Sequence, residues 1–540
     1  MESTKSVPLL YNLEQRVRYH AGQFERNLPE MRFFVLDSLE FMSLLEKHVY
    51  PVSPVNIWEG KRMVTRKYRV ETGQESSLYY EVVQTGNPSY AYLNHTNSPM
   101  MQASVMAHVC GHCEFSELNV LQDSTHDRTE FVMYLVRKAD LARQQMGEEA
   151  YRQFWNASES IIPFIAPHSR FNLARAIDTD VLDRQQETDT YVPETAGPSY
   201  FQPYSDTLDS LMKKQSREDA WHKEMQTKMR QETLSLRGYK LRAPCQDIFG
   251  FLKNYAPASQ SEKSLLNYFY TVYSTHDFIM RTQIMNEGWA MYWEKKIMLE
   301  LFKERSVTGI IDYAKVFSGV CYPRPYYRRN PYHLGFYLWT HIEELYREGK
   351  VSLDYLEEKD RELRNQWNRP DSVPPIQRME HLVRTVTDYE FLRRFLTPKL
   401  IHEFHLNRFD KREAQQLGIS SNHVIQADKQ WVWVDPEPIK EEMLDFFTHF
   451  YRPRIYVIDA DFQDGGLLLY HRDDGRSLKK TWIKPTLKNL NHIWKGPVSL
   501  ITKNWLYTYS ANLFKETVIN SVSFDEVQER IQQEQKPFKL

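Results

Sequence analysis

The sequence predicts a mainly α-helical protein that ends in a smaller α+β domain. Long stretches of the chain repeat apolar residues at helical spacing, which is the primary indication of amphipathic helices. Glycine is scarce, with 19 residues in 540, whereas sheet-rich and nucleotide-binding folds use glycine in turns and phosphate loops. The 33 tyrosines and 12 tryptophans favour a large helical core packed with amphipathic rings.

The first half of the chain alternates helical and polar stretches. Helical spacing predicts helices over 9–27, 97–121 and 128–160, and a strand-like segment lies at 64–83. From about 176 to 220 the sequence is rich in Asp, Gln, Thr, Pro and Ser, which is typical of a long loop or an insertion.

The second half is helical up to about residue 430 and then changes character. The predicted helices there are 244–256, 261–304, 333–348, 351–367 and 377–407. Beyond residue 430, two short apolar runs flank a Gly-Gly turn, which is typical of a hairpin. The later predicted elements are strands at 455–458 and 467–470, a helix at 484–494, and strands near 497–502 and 505–510.

The length and the changes in composition suggest two to four domains, at about 100–200 residues per domain. We predict an N-terminal α+β part (1–175), a polar insertion or linker (176–220), a helical domain (221–425) and a small α+β domain (426–540).

Charge and cysteine content restrict the class of protein. The formal net charge of −2 argues against a dedicated nucleic-acid or anionic-membrane binder. We expect no membrane span, because no run of about 18 apolar residues occurs. Four cysteines are too few for a disulfide scaffold and fit a reducing compartment. The N-terminus lacks the pattern of a signal peptide, so we expect a cytoplasmic protein.

The most specific chemical pattern is a pair of histidines, His108 and His112. On a helix these two side chains face the same way and could bind one metal ion. Zinc hydrolases use this spacing in an H-E-x-x-H helix, in which the glutamate is the general base. Here Val109 occupies the position of that glutamate, and a valine cannot accept a proton from bound water.

A second pattern, the segment 286–290 (Asn-Glu-Gly-Trp-Ala), offers a third ligand. Glu287 and Glu294 are seven positions apart and share a helix face, and Glu287 suits the role of a metal ligand. The alternative is that both glutamates pair with Arg or Lys on a neighbouring helix, which we favour for Glu294. Gly288 costs helix stability, so we expect it to serve close packing or a nearby ligand.

Cys110 and Cys113 form a C-x-x-C pattern that overlaps the histidine pair. Thiol–disulfide oxidoreductases place this motif at a helix N-terminus, where backbone amides lower the thiol pKa. Here the helix is predicted to begin near Ser98, about ten residues earlier. Redox catalysis is therefore disfavoured, and a thiol in the metal shell is the better alternative. Serine-hydrolase, P-loop and Rossmann motifs do not occur in the sequence.

Several blocks of the sequence, in order along the chain, resemble the stage V sporulation protein R (SpoVR) family. The blocks are 87–93, 107–112, 284–293, 330–335, 395–398, 459–461, 493–494 and 497–498. The resemblance implies a cytoplasmic bacterial or archaeal protein, linked to spore cortex formation in spore formers and present in other organisms too. The family positions matched by the candidate site are His108, His112, Asn286, Glu287 and Trp289.

This chain departs from the family pattern near the candidate site. The family has an acidic pair where this chain has Thr271 and Val272, and a histidine where it has Glu294. It has Asp-Phe-Phe where this chain has residues 114–116.

Two classes of function remain open from the sequence. In the first, the protein is a metal-dependent hydrolase acting on a peptide or a peptidoglycan precursor. Zn or Fe would be held by His108, His112 and Glu287, and Glu114 or Glu294 would be the catalytic base. In the second, it is a non-catalytic regulator or scaffold, a SpoVR-like factor in sporulation or cell-envelope and stress physiology, with the cluster as a structural metal site or a buried polar network. Either class implies a protein or cell-envelope precursor as partner and no nucleic acid.

Overall fold

The computed structural model describes residues 3–26, 28–37, 81–86, 88–121, 128–169, 244–370, 372–450, 452–463 and 465–532. These residues form a mainly helical fold with small sheets, which confirms the predicted fold class. The predicted insertion at 176–220 and most of the strand-like segment at 64–83 lie outside the described residues.

The described helices are numbered in chain order. They are α1 (Ser3–Gln23), α2 (Pro99–Leu118), α3 (Arg128–Met146), α4 (Glu148–Ser160), α5 (Ile248–Tyr255), α6 (Gln260–Lys303), α7 (Ile310–Val320), α8 (Pro331–Glu348), α9 (Leu353–Glu357), α10 (Arg361–Asn365), α11 (Pro375–Thr385), α12 (Asp388–Phe395), α13 (Pro398–Glu403), α14 (Lys411–Gln416), α15 (Pro436–His449), α16 (Lys480–Trp494) and α17 (Phe524–Gln532). Among them, none combines the length and the apolar character that crossing a bilayer requires.

The strands form three sheets in the described part of the chain. The strands are β1 (Met31–Leu36), β2 (Glu81–Gln84), β3 (Ser89–Asn94), β4 (Arg408–Asp410), β5 (Val424–Ala427), β6 (Trp431–Val434), β7 (Ile455–Phe462), β8 (Gly466–His471), β9 (Val498–Thr502), β10 (Trp505–Ser510) and β11 (Leu513–Val518). Their orders are β1-β3-β2, β4-β6-β5 and β11-β10-β9-β8-β7.

The chain divides into two compact units, each built from two separate segments. The first unit comprises Met1–Met133 and Phe278–Phe450, and the second comprises Tyr134–Asp277 and Tyr451–Leu540. The four consecutive segments that we drew from the sequence stay a prediction.

The first unit is organised around helix α2, most of whose residues are buried. Helix α2 packs against α1, α11 and strand β3. In this sheet β1 pairs in parallel with β3, so that Met31 aligns with Ser89, and β2 pairs antiparallel with β3. The buried side chains of α2, the second part of α6 and α8 join one hydrophobic core, which fixes the positions of these helices.

The second unit contains the five-stranded sheet. Strands β7 and β8 form the predicted antiparallel hairpin, and β8 pairs in parallel with β9 after a crossover through α16. Helix α16 packs on β9, β10 and α4. Its apolar face, which includes Leu487, Leu490 and Ile493, is buried in this contact.

The structure differs from the predicted elements in several places. The helix predicted at 351–367 is two short helices, and the one predicted at 377–407 is three. New helices begin there because N-capping residues and proline favour helix N-termini. The unpredicted elements include helices α7, α14 and α15, strand β11 and the two three-stranded sheets. Strands β1 and β3 are far apart in sequence and pair in parallel, so no hairpin pattern marks them.

Candidate metal centre

Helix α2 supplies two imidazoles to one point. The helix begins at Pro99, where the Ser98 side chain accepts a hydrogen bond from the Met101 backbone N–H. His108 and His112 lie one turn apart, and their Nε2 atoms are 3.0 Å from each other. The predicted helix start and the predicted common direction of the two histidines therefore both agree with the structure.

Helix α6 brings a carboxylate to the same point. Glu287 Oε2 lies 3.4 Å from His112 Nε2 and 3.9 Å from His108 Nε2. One ligand atom from each of these three residues lies within 4.8 Å of the other two. The two imidazoles and the carboxylate that we selected from the sequence are thus neighbours in the fold, and all belong to the first unit.

Glycines allow the backbones of these helices to approach closely enough for this meeting. A Cβ atom on Gly111 of α2 would lie 2.6 Å from Ala290 Cα of α6. A Cβ on Gly288 of α6 would lie 2.4 Å from Gly335 Cα of α8. Real Cβ atoms do not come this close, so larger residues would push the helices apart. Gly288 therefore serves close packing, one of the two roles expected from the sequence.

A second set of hydrogen bonds orients the histidines. His108 Nδ1 lies 2.9 Å from Glu294 Oε2, and the other oxygen of Glu294 accepts from Ser104 Oγ at 2.6 Å. His112 Nδ1 lies 3.0 Å from Asn286 Oδ1. Because both partners are acceptors, each Nδ1 carries the proton. In neutral rings, both Nε2 atoms then present lone pairs to the shared point.

The Glu287 carboxylate is ionised but incompletely satisfied. Burial raises the pKa of Glu287, yet the charge of His112 and hydrogen bonds from both imidazoles in their protonated form outweigh burial and lower the pKa to about 2. When the imidazoles are neutral, none of the described residues donates a hydrogen bond to the buried Oε2 atom. An ionised, buried oxygen without a donor is costly, so this atom fits a ligand for a cation.

The three residues of the cluster are exposed to different extents. The side chain of His108 is 8% exposed, whereas those of His112 and Glu287 are 14% and 19% exposed. The ring of Tyr332, in the first turn of α8, lies 6.1 Å from that of His108. His112 and Glu287 are thus the more exposed members of the cluster, although the Glu287 Oε2 atom itself is buried.

Glu294 differs from our expectation. We favoured a pairing with Arg or Lys on a neighbouring helix, but its two oxygens bind Ser104 and His108. The reason is helical spacing, since Ser104 and His108 are one turn apart on α2 and together face Glu294. Sequence reasoning missed Ser104, although the four-residue spacing of 104, 108 and 112 marks it as part of the same face.

Glu114, the other base predicted, does not join the cluster. It lies two positions after His112, and therefore on the opposite side of helix α2. Its carboxylate accepts from Arg26 at 3.1 Å and from Trp289 Nε1 at 2.9 Å. Arg26 also contacts Glu380 at 2.5 Å and covers the Trp293 ring. Trp289 of the second motif thus belongs to this second polar cluster.

Cys110 and Cys113 lie in the hydrophobic core. Both are free thiols, and burial is the main reason why the pKa of each is raised, for Cys113 to about 12. A protonated, buried thiol is a poor nucleophile and a poor metal ligand. Neither cysteine belongs to the group of described residues that could hold a metal ion.

A family model described as "SpoVR like protein" matches residues 4–444, which is most of the chain. The chain belongs to the SpoVR family. The matched residues include both helices of the candidate centre, whereas the blocks noted at 459–461 and after 493 lie beyond them.

The chain is also similar to a curated relative from Escherichia coli (strain K12). The two sequences are 24% identical over 484 residues, which cover 87% of each chain. That relative bears the name "Uncharacterized protein YcgB". No solved structure matches this SpoVR chain.

Proposed function

We propose that this SpoVR protein binds a divalent transition metal ion, Zn or Fe, through His108, His112 and Glu287. The observation that carries the proposal is the convergence of two imidazole nitrogens and an ionised, unsatisfied carboxylate oxygen on one point. Two imidazoles and one carboxylate are the ligands of many catalytic zinc sites and of non-haem iron sites.

The spacing of the three donor atoms supports this proposal. A tetrahedral ion with bonds of about 2.0–2.1 Å places its ligand atoms about 3.3 Å apart. The donor atoms here are separated by 3.0, 3.4 and 3.9 Å. A modest side-chain movement would therefore complete the coordination geometry.

The hydrogen bonds behind the histidines also support a metal. Metal-bound histidines commonly donate their second ring N–H to a carboxylate or another oxygen acceptor, which fixes the tautomer. Glu294 and Asn286 occupy these positions for His108 and His112. Without a cation, two lone pairs 3.0 Å apart repel each other, unless a proton is shared between them. That shared proton is the alternative, a buried polar network.

The second candidate function is a metal-dependent hydrolase of the zincin type. The contacts of Glu114 and Glu294, the two candidate bases, argue against a catalytic role for either. Glu114 binds Arg26 and Trp289 instead of facing the cluster, and Glu294 binds His108 and Ser104. Val109, at the position of the zincin glutamate, is buried and apolar. When bound, the metal would supply Lewis acidity and lower the pKa of a bound water.

The physiological part of the proposal rests on the SpoVR resemblance. We place the protein in sporulation, through the spore cortex, or in cell-envelope and stress physiology. Its partner would be a protein or a cell-envelope precursor, such as a peptide or peptidoglycan precursor, and not a nucleic acid. A cytoplasmic location belongs to this proposal, and the four free cysteines support it.

Metal analysis of the purified full-length protein tests the proposal. We expect about one equivalent of Zn or Fe in wild type and less than a tenth of that in His108→Ala and His112→Ala. The matched control is His471→Ala, which removes a buried histidine that is bonded to Thr502 in the second unit. A wild-type protein that stays metal-free after incubation with Zn(II) and with Fe(II) would contradict the proposal.

A further inference from the structure

A buried carboxylate, that of Asp388, accepts hydrogen bonds from backbone N–H groups in the interior of helix α6. The backbone N–H groups of Ile284 and Met285 donate to the two oxygens of Asp388 at 2.8 and 2.9 Å. Both residues lie far inside α6, where backbone N–H groups ordinarily bond to the carbonyl four residues earlier. Two consecutive N–H groups bound to one carboxylate are instead typical of a helix N-terminus.

Asp388 therefore acts as an N-terminal cap inside a continuous helix. Asp388 is itself the first residue of α12 and is fully buried. It thus connects the start of one helix to the middle of another.

Two residues of α8 also contact the backbone of α6 at residues 284–285. Trp339 Nε1 donates to the Met285 carbonyl oxygen at 2.9 Å. Gly335 lies so close to α6 that a Cβ atom on it would be 2.0 Å from the Ile284 carbonyl oxygen. Both the N–H side and the carbonyl side of residues 284–285 are thus bound to neighbouring helices.

The candidate metal centre follows immediately in the sequence. Asn286, which orients His112, and Glu287, the third ligand, are the next two residues of α6. Their side-chain directions depend on the backbone at Ile284 and Met285, because one residue of rotation on a helix is about 100°. A change in how that backbone is held would move the carboxylate away from the imidazoles.

We propose that Asp388 is a positioning residue that holds helix α6 at residues 284–285 and so directs Asn286 and Glu287 toward the histidine pair. This inference rests on the proposed metal site. Burial also raises the pKa of Asp388 to about 7, against the backbone hydrogen bonds and the charge of Arg329. The fold thus retains a carboxylate that its surroundings disfavour in the charged form.

Zinc affinity of the full-length protein tests the inference, measured by competition with a chromophoric chelator. Asp388→Asn keeps the size of the side chain but replaces one acceptor oxygen with an N–H donor. We expect Zn(II) affinity to fall about 10–100-fold, the range typical of changes behind the ligands. We also expect the visible spectrum of the Co(II)-loaded variant to differ from that of wild type, because Glu287 is displaced.

The chain offers a matched control in Asp247. It is equally buried, caps helix α5 in the second unit, and accepts from the backbone N–H groups of Ala166 and Gly250. We expect Asp247→Asn to lower the thermal midpoint while leaving Zn(II) affinity within twofold and the Co(II) spectrum unchanged. Equal losses of affinity in the two variants would overturn the inference, because they would reflect general destabilisation.

Wild type separates this inference from the proposed function. If wild type binds no Zn(II), the metal site itself is contradicted, and the inference falls with it. If wild type binds Zn(II) and Asp388→Asn binds it equally, only the positioning role is overturned. If Asp388→Asn does not fold, Trp339→Phe is measured instead, because it removes the hydrogen bond to the Met285 carbonyl oxygen at the same stretch of α6. We expect its Zn(II) affinity to fall about threefold to tenfold. An unchanged Zn(II) affinity would overturn the proposal that contacts at residues 284–285 position the ligands.

Discussion

Helices α2 and α6 carry two polar clusters that differ in how completely they are satisfied. On one side, Glu114 receives hydrogen bonds from Arg26 and Trp289, so its charge is balanced by a protein cation. On the other side, Glu287 faces two imidazole nitrogens, and its buried oxygen receives no hydrogen bond from the described residues. In the first cluster, protein groups alone satisfy the carboxylate. The second cluster has the ligand atoms and the negative charge to bind an added cation.

The pKa values of the two glutamates differ in the same way. Burial dominates at Glu114 and raises its pKa, even though Arg26 and Trp289 counteract it. At Glu287 the histidines outweigh burial and lower the pKa to about 2. The comparison teaches that a buried carboxylate indicates a ligand site only when its neighbours favour its charge without satisfying its oxygens.

The largest effect is expected from breaking the complete cluster. Arg26→Met leaves the Glu114 carboxylate buried without its cation, which should lower the free energy of unfolding by about 3–5 kcal/mol. Urea unfolding of the metal-free protein measures this loss. The control is Arg393→Met, which removes an exposed ion pair with Glu390 and should change the free energy of unfolding little. Similar small losses in both variants would contradict the structural role of Arg26.

A third carboxylate, Asp388, sharpens the comparison because backbone N–H groups hold it. Its pKa of about 7 in the folded protein exceeds the ordinary value of 3.8. Between these values the folded state binds a proton that the unfolded state has lost, so stability falls as the pH rises. From pH 5 to pH 8, wild type should lose about 3 kcal/mol relative to Asp388→Asn. Urea unfolding at both pH values measures this, and a pH-independent difference would count against the raised pKa.

Removing the Glu287 carboxylate should have a large effect on metal binding. Glu287→Gln keeps the size of the side chain but removes the charge, so Zn(II) affinity should fall by more than about 100-fold, beyond the range for residues behind the ligands. Chelator competition measures the affinity of the variant and of wild type. An unchanged Zn(II) affinity would remove Glu287 from the site.

The smallest effect in this series is expected at Glu294. Glu294→Gln replaces the charged acceptor behind His108 with a neutral one, so the imidazole becomes a weaker ligand. Zn(II) affinity should fall about 10–100-fold, by chelator competition. Ser104→Ala removes only the hydroxyl that holds Glu294 and serves as the milder comparison. A loss as large as that of Glu287→Gln would indicate that Glu294 binds the metal directly.

Much of the candidate centre was predictable because helical spacing is local. Ser98 and Pro99 mark the start of α2, and the four-residue spacing of His108 and His112 sets their common direction. The same helical spacing places Glu114 on the opposite side of α2 from the two histidines. Its separation from the cluster was therefore also predictable from the sequence.

The rest of the centre depends on contacts between distant parts of the chain. Helices α2 and α6 meet through Gly111 and Ala290, which no local pattern links. Asp388 contacts Ile284, which lies about a hundred residues earlier in the chain. In the sequence, an aspartate after a threonine indicates only the start of a helix, here α12. Such contacts follow from tertiary packing, which periodicity and propensity do not encode.

The most direct test of the metal centre is a crystal structure of the Zn(II)-incubated protein with anomalous data on both sides of the zinc absorption edge. We expect one anomalous peak at about 2.0–2.1 Å from the Nε2 atoms of His108 and His112 and from an oxygen of Glu287. Absence of a peak between these side chains, with the two imidazoles still in contact, would contradict the metal centre and identify the cluster as a polar network that shares a proton.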